Sequence, residues 1–110
     1  MKTCLAPDSN PTKPTQILPE GAWDAHCHVF GPAAEFPYAE DRSYTPPDAP
    51  FETLRSLHDH LGFTRGVIVQ ASCHGSDNSA MLDAIARSEG RYRGVAIVDG
   101  SETDEQLAEM

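Results

Sequence analysis

Basic side chains are scarce in this chain. Eight Lys and Arg stand against 17 Asp and Glu, a formal net charge of −9 over 110 residues. That argues against nucleic acid and against an anionic membrane surface as partners, since both demand clustered cations. An anionic small molecule stays open, because a pocket can be locally positive inside an acidic shell. No apolar run approaches the roughly 20 residues that span a bilayer. The N-terminal "MKTCLAPDSN" lacks the apolar core of a secretory signal. Cysteine is sparse too: Cys4, Cys27 and Cys73 are an odd number without disulfide-framework spacing. Reduced thiols and a cytoplasmic location are therefore expected. Neither G-x-G-x-x-G nor G-x-x-x-x-G-K-[ST] follows a candidate strand, so the nucleotide-binding fingerprints are missing. The length suits one small domain.

What is present falls into two parts. Residues 1–20 form an arm in which Pro7, Pro11, Pro14 and Pro19 interrupt polar sequence. Prolines remove backbone donors and favour extended chain, so a flexible or surface-draped segment is expected. Residues 21–110 alternate between strand and helix patterns. A first strand is predicted over Trp23–Phe30, ended by Gly31-Pro32. The aromatic and proline-rich loop "AAEFPYAEDRSYTPPDAP" is too long for a simple connector, and such loops are often functional. A helix follows to Leu61, with Asp48 as N-cap and Pro50 in the first turn. Phe51, Leu54, Leu57 and Leu61 line its apolar face, and Gly62 closes it.

The second strand is the β-branched run Arg65–Ser72. Asp77 or Asn78 caps a second helix with Met81, Leu82 and Ile85 on its apolar face, ended at Gly90. The third strand is Tyr92–Asp99. Thr103 and Gln106 have capping-box spacing at the start of a third helix. Strands 2 and 3 are continuous apolar runs, as in parallel strands covered on both faces. The class is α/β, built from βαβ units, with a doubly wound sheet and a (β/α) barrel both open at this point.

Chemistry concentrates in "DAHCHVFGP". Side chains alternate along a strand, so His26 and His28 point to one side with Asp24 below them. Cys27 and Val29 point to the other. One histidine is most simply a core residue satisfied by a carbonyl. Two on one face, near the C-terminal end of a βαβ strand where such folds build their sites, favour function. On strand 2, Ile68, Gln70 and Ser72 share a face, and His74 follows in the loop. Ser72 and His74 either contribute to a site or hydrogen-bond their own loop. Asp99 either serves a site or caps its turn. His58 and His60 do not share a helix face and read as surface residues without chemistry. A four-ligand structural zinc using Cys27-His28 and Cys73-His74 is disfavoured, because Cys27 and His28 face opposite ways. A catalytic divalent metal such as zinc on His26 and His28 is more credible, and needs a further ligand from elsewhere.

These motifs, together with the tyrosine in "SYTP" and the stretches "DHLGF", "VIVQASCHGSDN" and "GVAIVD", resemble the amidohydrolase superfamily. More narrowly, they resemble its lactone-hydrolysing branch typified by 2-pyrone-4,6-dicarboxylate hydrolase. The resemblance covers about Gly21 to Asp99. It implies the first three strands of a (β/α)8 barrel, and thus the opening part of a longer enzyme of aromatic catabolism. It implies that His26 and His28, with a third histidine from a later strand, polarise a lactone carbonyl. An aspartate on the last strand would activate water. Tyr44 and Ser72 match positions that contact the substrate carboxylates or ring, and His74 is assigned with them to substrate binding. It implies no cofactor in this branch, and a divalent metal on His26 and His28 in most of the superfamily. The substrate would be a small dicarboxylated lactone, and the isolated 110-residue chain would be inactive. The alternatives are a metal-dependent hydrolase or decarboxylase of the same superfamily, and a non-catalytic βαβ module that binds a ligand through its tyrosine-rich loop.

Overall fold

The run "RGVIV" forms the centre of a three-stranded parallel sheet. The computed structural model describes the backbone of residues 2–110 and the side chains of residues 4–110. Nine elements follow in order: β1 (Lys2–Thr3), β2 (Trp23–Cys27), β3 (Tyr44–Thr45), α1 (Phe51–Leu61), β4 (Arg65–Val69), a 3-10 turn (Ser72–His74), α2 (Ser79–Ala86), β5 (Tyr92–Val95) and α3 (Asp104–Glu109). The main sheet has the order β2-β4-β5, with both pairings parallel. This is the topology expected of consecutive βαβ units. β1 and β3 form a separate parallel pair, with Lys2 opposite Tyr44 and Thr3 opposite Thr45. Part of the proline-rich arm is thereby paired to the long loop.

The core lies between one face of the sheet and helices α1 and α2. Cys27, Val29, Phe51, Ile68, Ala80, Met81, Ala84 and Tyr92 form one buried cluster, with Leu54, Leu82 and Ile85 packed against it. Gly94 shows how closely α2 approaches β5. A Cβ there would lie 2.5 Å from Ile85 Cδ1 and 3.0 Å from Met81 Sδ. The opposite face is open: Trp23, Val95 and Ile97 are 44%, 51% and 38% exposed.

Several local expectations need correcting. Each strand is shorter at its C-terminal end than its apolar run, so Ser72 belongs to the 3-10 turn and not to the strand alternation of Ile68 and Gln70. Asp48 is not the cap of α1. Pro50 holds that position without a side-chain bond, and Asp48 Oδ1 instead accepts from Tyr38 Oη at 2.9 Å and Ala33 N–H at 3.1 Å. Asn78 occupies the N-cap of α2 but makes no capping bond. Its buried amide pairs with the backbone of Ile97, donating to the carbonyl at 2.9 Å and accepting from the N–H at 3.0 Å. This ties the start of α2 to the end of β5. Gly62 ends α1 at φ +94°, as its position in the sequence suggested, and the Thr103–Gln106 capping box is formed.

Candidate active site at the strand ends

His26 and His28 project to the same side of the sheet. Their ring centroids lie 5.1 Å apart in an edge-on arrangement, while Cys27 between them is buried in the helix-side core. His28 Nδ1 lies 2.8 Å from the carbonyl of Val69 at the end of β4. A carbonyl only accepts, so Nδ1 carries the proton. Nε2 of the neutral ring is then a lone pair, and it can donate only when the ring is imidazolium. His26 is exposed and His28 half-buried.

A second group gathers three residues beyond Val69. The Tyr44 hydroxyl meets the thiol of Cys73 and the hydroxyl of Ser72, and its pKa is raised, chiefly by burial and then by the Cys73 contact. Ser72 itself is exposed. His28 is thus anchored to the C-terminal end of β4, and Tyr44 meets the turn that follows it. His74 is placed differently. It is 3% exposed, its Nε2 accepts the Gly31 N–H at 3.1 Å, and its Nδ1 lies 3.3 Å from the Pro37 carbonyl. Its ring also packs on Tyr38, centroid to centroid at 4.8 Å. Both ring nitrogens therefore hold the loop that follows β2.

Two expectations fail here. Asp24 does not lie below the histidines. A bulge between Asp24 and Cys27 shifts the alternation by one residue, and the Asp24 carboxylate turns to α1. His58 is not a surface residue. It is fully buried, with Nε2 at 2.8 Å from Asp24 Oδ2 and Nδ1 at 2.5 Å from Tyr92 Oη. Asp99 accepts from Ser101 N–H and Oγ, which holds its carboxyl below the usual range. It caps its own turn.

Two residue groups bear on metal binding. The bare Nε2 lone pair of His28, with Nδ1–H oriented by a carbonyl, is the form in which histidine ligates a cation, so His28 offers a donor suited to a divalent ion. Ligand atoms of Asp24, Cys27 and His58 also lie within 4.8 Å of one another. In that group every atom already has a protein partner. Cys27 Sγ donates to the Val67 carbonyl at 3.4 Å, and burial, then the Asp24 charge, pushes its thiol up to about 12. A thiol held in its protonated form is a poor ligand.

Comparison with known proteins places the chain in a family. A family model described as Amidohydrolase matches residues 23–110. A 2-pyrone-4,6-dicarboxylate hydrolase of Comamonas testosteroni is 57% identical over 102 residues, covering 93% of this chain and 33% of that protein. A 4-sulfomuconolactone hydrolase of Hydrogenophaga intermedia is 47% identical over 107 residues, 97% of this chain and 35% of the relative. Among solved structures, a probable 2-pyrone-4,6-dicarboxylic acid hydrolase of Acinetobacter baumannii with citric acid bound superposes with a TM-score of 0.72. It shares 34% identity and covers 81% of this chain and 33% of its own. The chain spans about a third of the length of these relatives, and its three parallel strands with their helices are a portion of the (β/α)8 barrel they adopt. The chain belongs to the amidohydrolase family.

Proposed function

We propose that the protein bearing this sequence hydrolyses the lactone ring of 2-pyrone-4,6-dicarboxylate or a closely related anionic lactone. The observation that carries the reading is the His26–His28 pair on the open side of β2, with His28 bonded to the Val69 carbonyl at the end of β4. In the reaction, water adds to the lactone carbonyl carbon. The ring C–O bond breaks, its oxygen leaves as an enolate that takes a proton, and the carbonyl carbon becomes a third carboxylate. Negative charge develops on the carbonyl oxygen as water adds. Donors aimed at that oxygen lower the barrier more than they tighten substrate binding. His28, with Nδ1–H spent on Val69, serves this role through Nε2 as an imidazolium, with His26 beside it. Tyr44 and Ser72 supply hydroxyls for a substrate carboxylate or ring oxygen. His74 acts on the substrate through the loop it holds.

The resemblance implies an aspartate on the last strand of the barrel as the water-activating base; Asp24 is bonded to His58 and to the His26 N–H, and Asp99 to its own turn. The free cysteines Cys4, Cys27 and Cys73 support a cytoplasmic location. No described helix is long and apolar enough to cross a membrane.

A second reading, metal-dependent hydrolysis or decarboxylation, is favoured by the Nε2 lone pair of His28. His26 and His28 would hold the ion, which would supply Lewis-acid polarisation of the same carbonyl. The test is hydrolysis of 2-pyrone-4,6-dicarboxylate, followed by loss of pyrone absorbance, and in parallel hydrolysis of 4-sulfomuconolactone, followed by chromatography of the ring-opened acid, before and after exhaustive chelation. Hydrolysis unchanged by chelation supports the imidazolium reading. Loss on chelation with recovery on adding zinc supports the second. No turnover of either lactone contradicts both.

A further inference from the structure

One network, buried at His58 and Tyr92 and half-buried at Asp24, is unused by the chemistry above. Tyr92 on β5, His58 on α1 and Asp24 on β2 form a continuous chain of hydrogen bonds. Directions follow from the ends. The Asp24 carboxylate accepts, so His58 Nε2 carries a proton and donates. His58 Nδ1 is then the acceptor for the Tyr92 hydroxyl. The other Asp24 oxygen, Oδ1, accepts the backbone N–H of His26 at 3.1 Å. That N–H lies within the bulge, between Asp24 and Cys27, where the ladder with β4 shifts register. A bulge leaves backbone groups outside the ladder, and here a side chain takes one of them.

The surroundings are shaped for this chain. His58 and Tyr92 are 0% and 1% exposed. Phe63 packs edge-on to the His58 ring at 5.4 Å. Gly66 on β4 leaves room for the imidazole, since a Cβ there would lie 3.3 Å from its Cε1. Buried polar chains with every member satisfied fix one geometry and resist others.

We propose that Tyr92, His58 and Asp24 are positioning residues. The chain sets the backbone of the β2 bulge at His26, and through it the placement of the His26 and His28 rings. This rests on the reading of those rings as the carbonyl-polarising pair. A small displacement of such groups costs rate while leaving ground-state binding nearly intact.

The test uses the full-length protein with Tyr92→Phe, His58→Gln and Asp24→Asn, and two readouts. In the 1H–15N spectrum, the His26 amide resonance is expected to shift in all three variants. In steady-state assays normalised to folded protein, kcat is expected to fall about tenfold or more with KM within twofold. Tyr92→Phe combined with Asp24→Asn should cost no more than Asp24→Asn alone, the non-additivity of a single chain. If His58→Gln does not fold, Tyr92→Phe, which removes one oxygen atom, decides. A folded Tyr92→Phe protein with unchanged kcat overturns the proposal, whether or not the His26 amide moves. A lower melting temperature with unchanged kcat would mark a purely stabilising network. Failure of the polarising reading shows separately, as a His28→Ala protein with undiminished kcat.

Discussion

Gly31 sits where a side chain has no room. At φ +65°, a Cβ would lie 2.5 Å from Asp48 Oδ1 and 3.0 Å from Tyr38 Oη, in the clasp that Asp48 closes on the loop after β2. Gly31→Ala is expected to destabilise the protein by roughly 1–3 kcal/mol, the scale of a forced left-handed residue, measured by urea denaturation. An unchanged midpoint would show that the loop yields freely. Thiol chemistry offers a second check at this scale. Cys4 is exposed, while Cys27 and Cys73 are buried with pKa values raised chiefly by burial. Iodoacetamide at pH 8 should therefore modify Cys4 in the native protein, and Cys27 and Cys73 only after denaturant is added, as read by mass spectrometry. The histidine pair was legible at the residue scale because strand alternation is short-range: His26, Cys27 and His28 report their faces to one another. His58 was not legible. Its partners Asp24 and Tyr92 lie 34 residues away on either side, and nothing in "LHDHLG" distinguishes a buried histidine from an exposed one.

Among the elements, α3 has the most readable start and the least tertiary support. Thr103 and Gln106 form their reciprocal cap, yet no residue of α3 is buried. Thr103→Ala should lose about 1 kcal/mol of helix stability and leave the main unfolding transition in place. Faster amide exchange confined to residues 104–109, with an unmoved melting temperature, is the expected result. A shifted melting temperature would mean that α3 carries packing not seen here. The first helix was placed well from sequence because its apolar spacing and its Gly62 stop are local signals, whereas α2 ends at Ala86 with Arg87 as its cap, short of the Gly90 stop expected for it. Their caps were less legible. Asp48 and Asn78 have the right residue type and position for capping, but tertiary partners, Tyr38 and the Ile97 backbone, took their side chains instead. Strand ends were overestimated at Ser72 and Asp99. Apolar runs such as "GVAIV" continue past the last ladder bond, and composition does not mark where pairing stops.

For the molecule as a whole, buried acids set an alkaline limit. Cys27 rises from 9.0 to about 12 and Tyr92 from 10.0 to about 12, both mainly through burial. Between those values the unfolded chain has lost the proton and the folded chain keeps it, so stability falls as pH rises. The melting temperature should decline progressively from about pH 9 upward, and a flat profile to pH 11 would contradict the burial of these groups. The open sheet face carrying Trp23, Val95 and Ile97, with β5 an unpaired edge in the order β2-β4-β5, predicts self-association of the 110-residue polypeptide. Sedimentation should show oligomers or aggregates at micromolar concentration, and a stable monomer would show that this face tolerates water. The parallel order of the sheet was legible from alternating strand and helix patterns. The bulge that turns Asp24 toward α1 was not, since one inserted residue in a ladder leaves no mark in the sequence. The central claim is that His28 polarises a lactone carbonyl, and the most direct measurement is kcat for 2-pyrone-4,6-dicarboxylate in the full-length protein against its His28→Ala variant. A loss of roughly 10²- to 10³-fold with folding intact is the predicted result, and a variant that turns over as fast as the parent would contradict it.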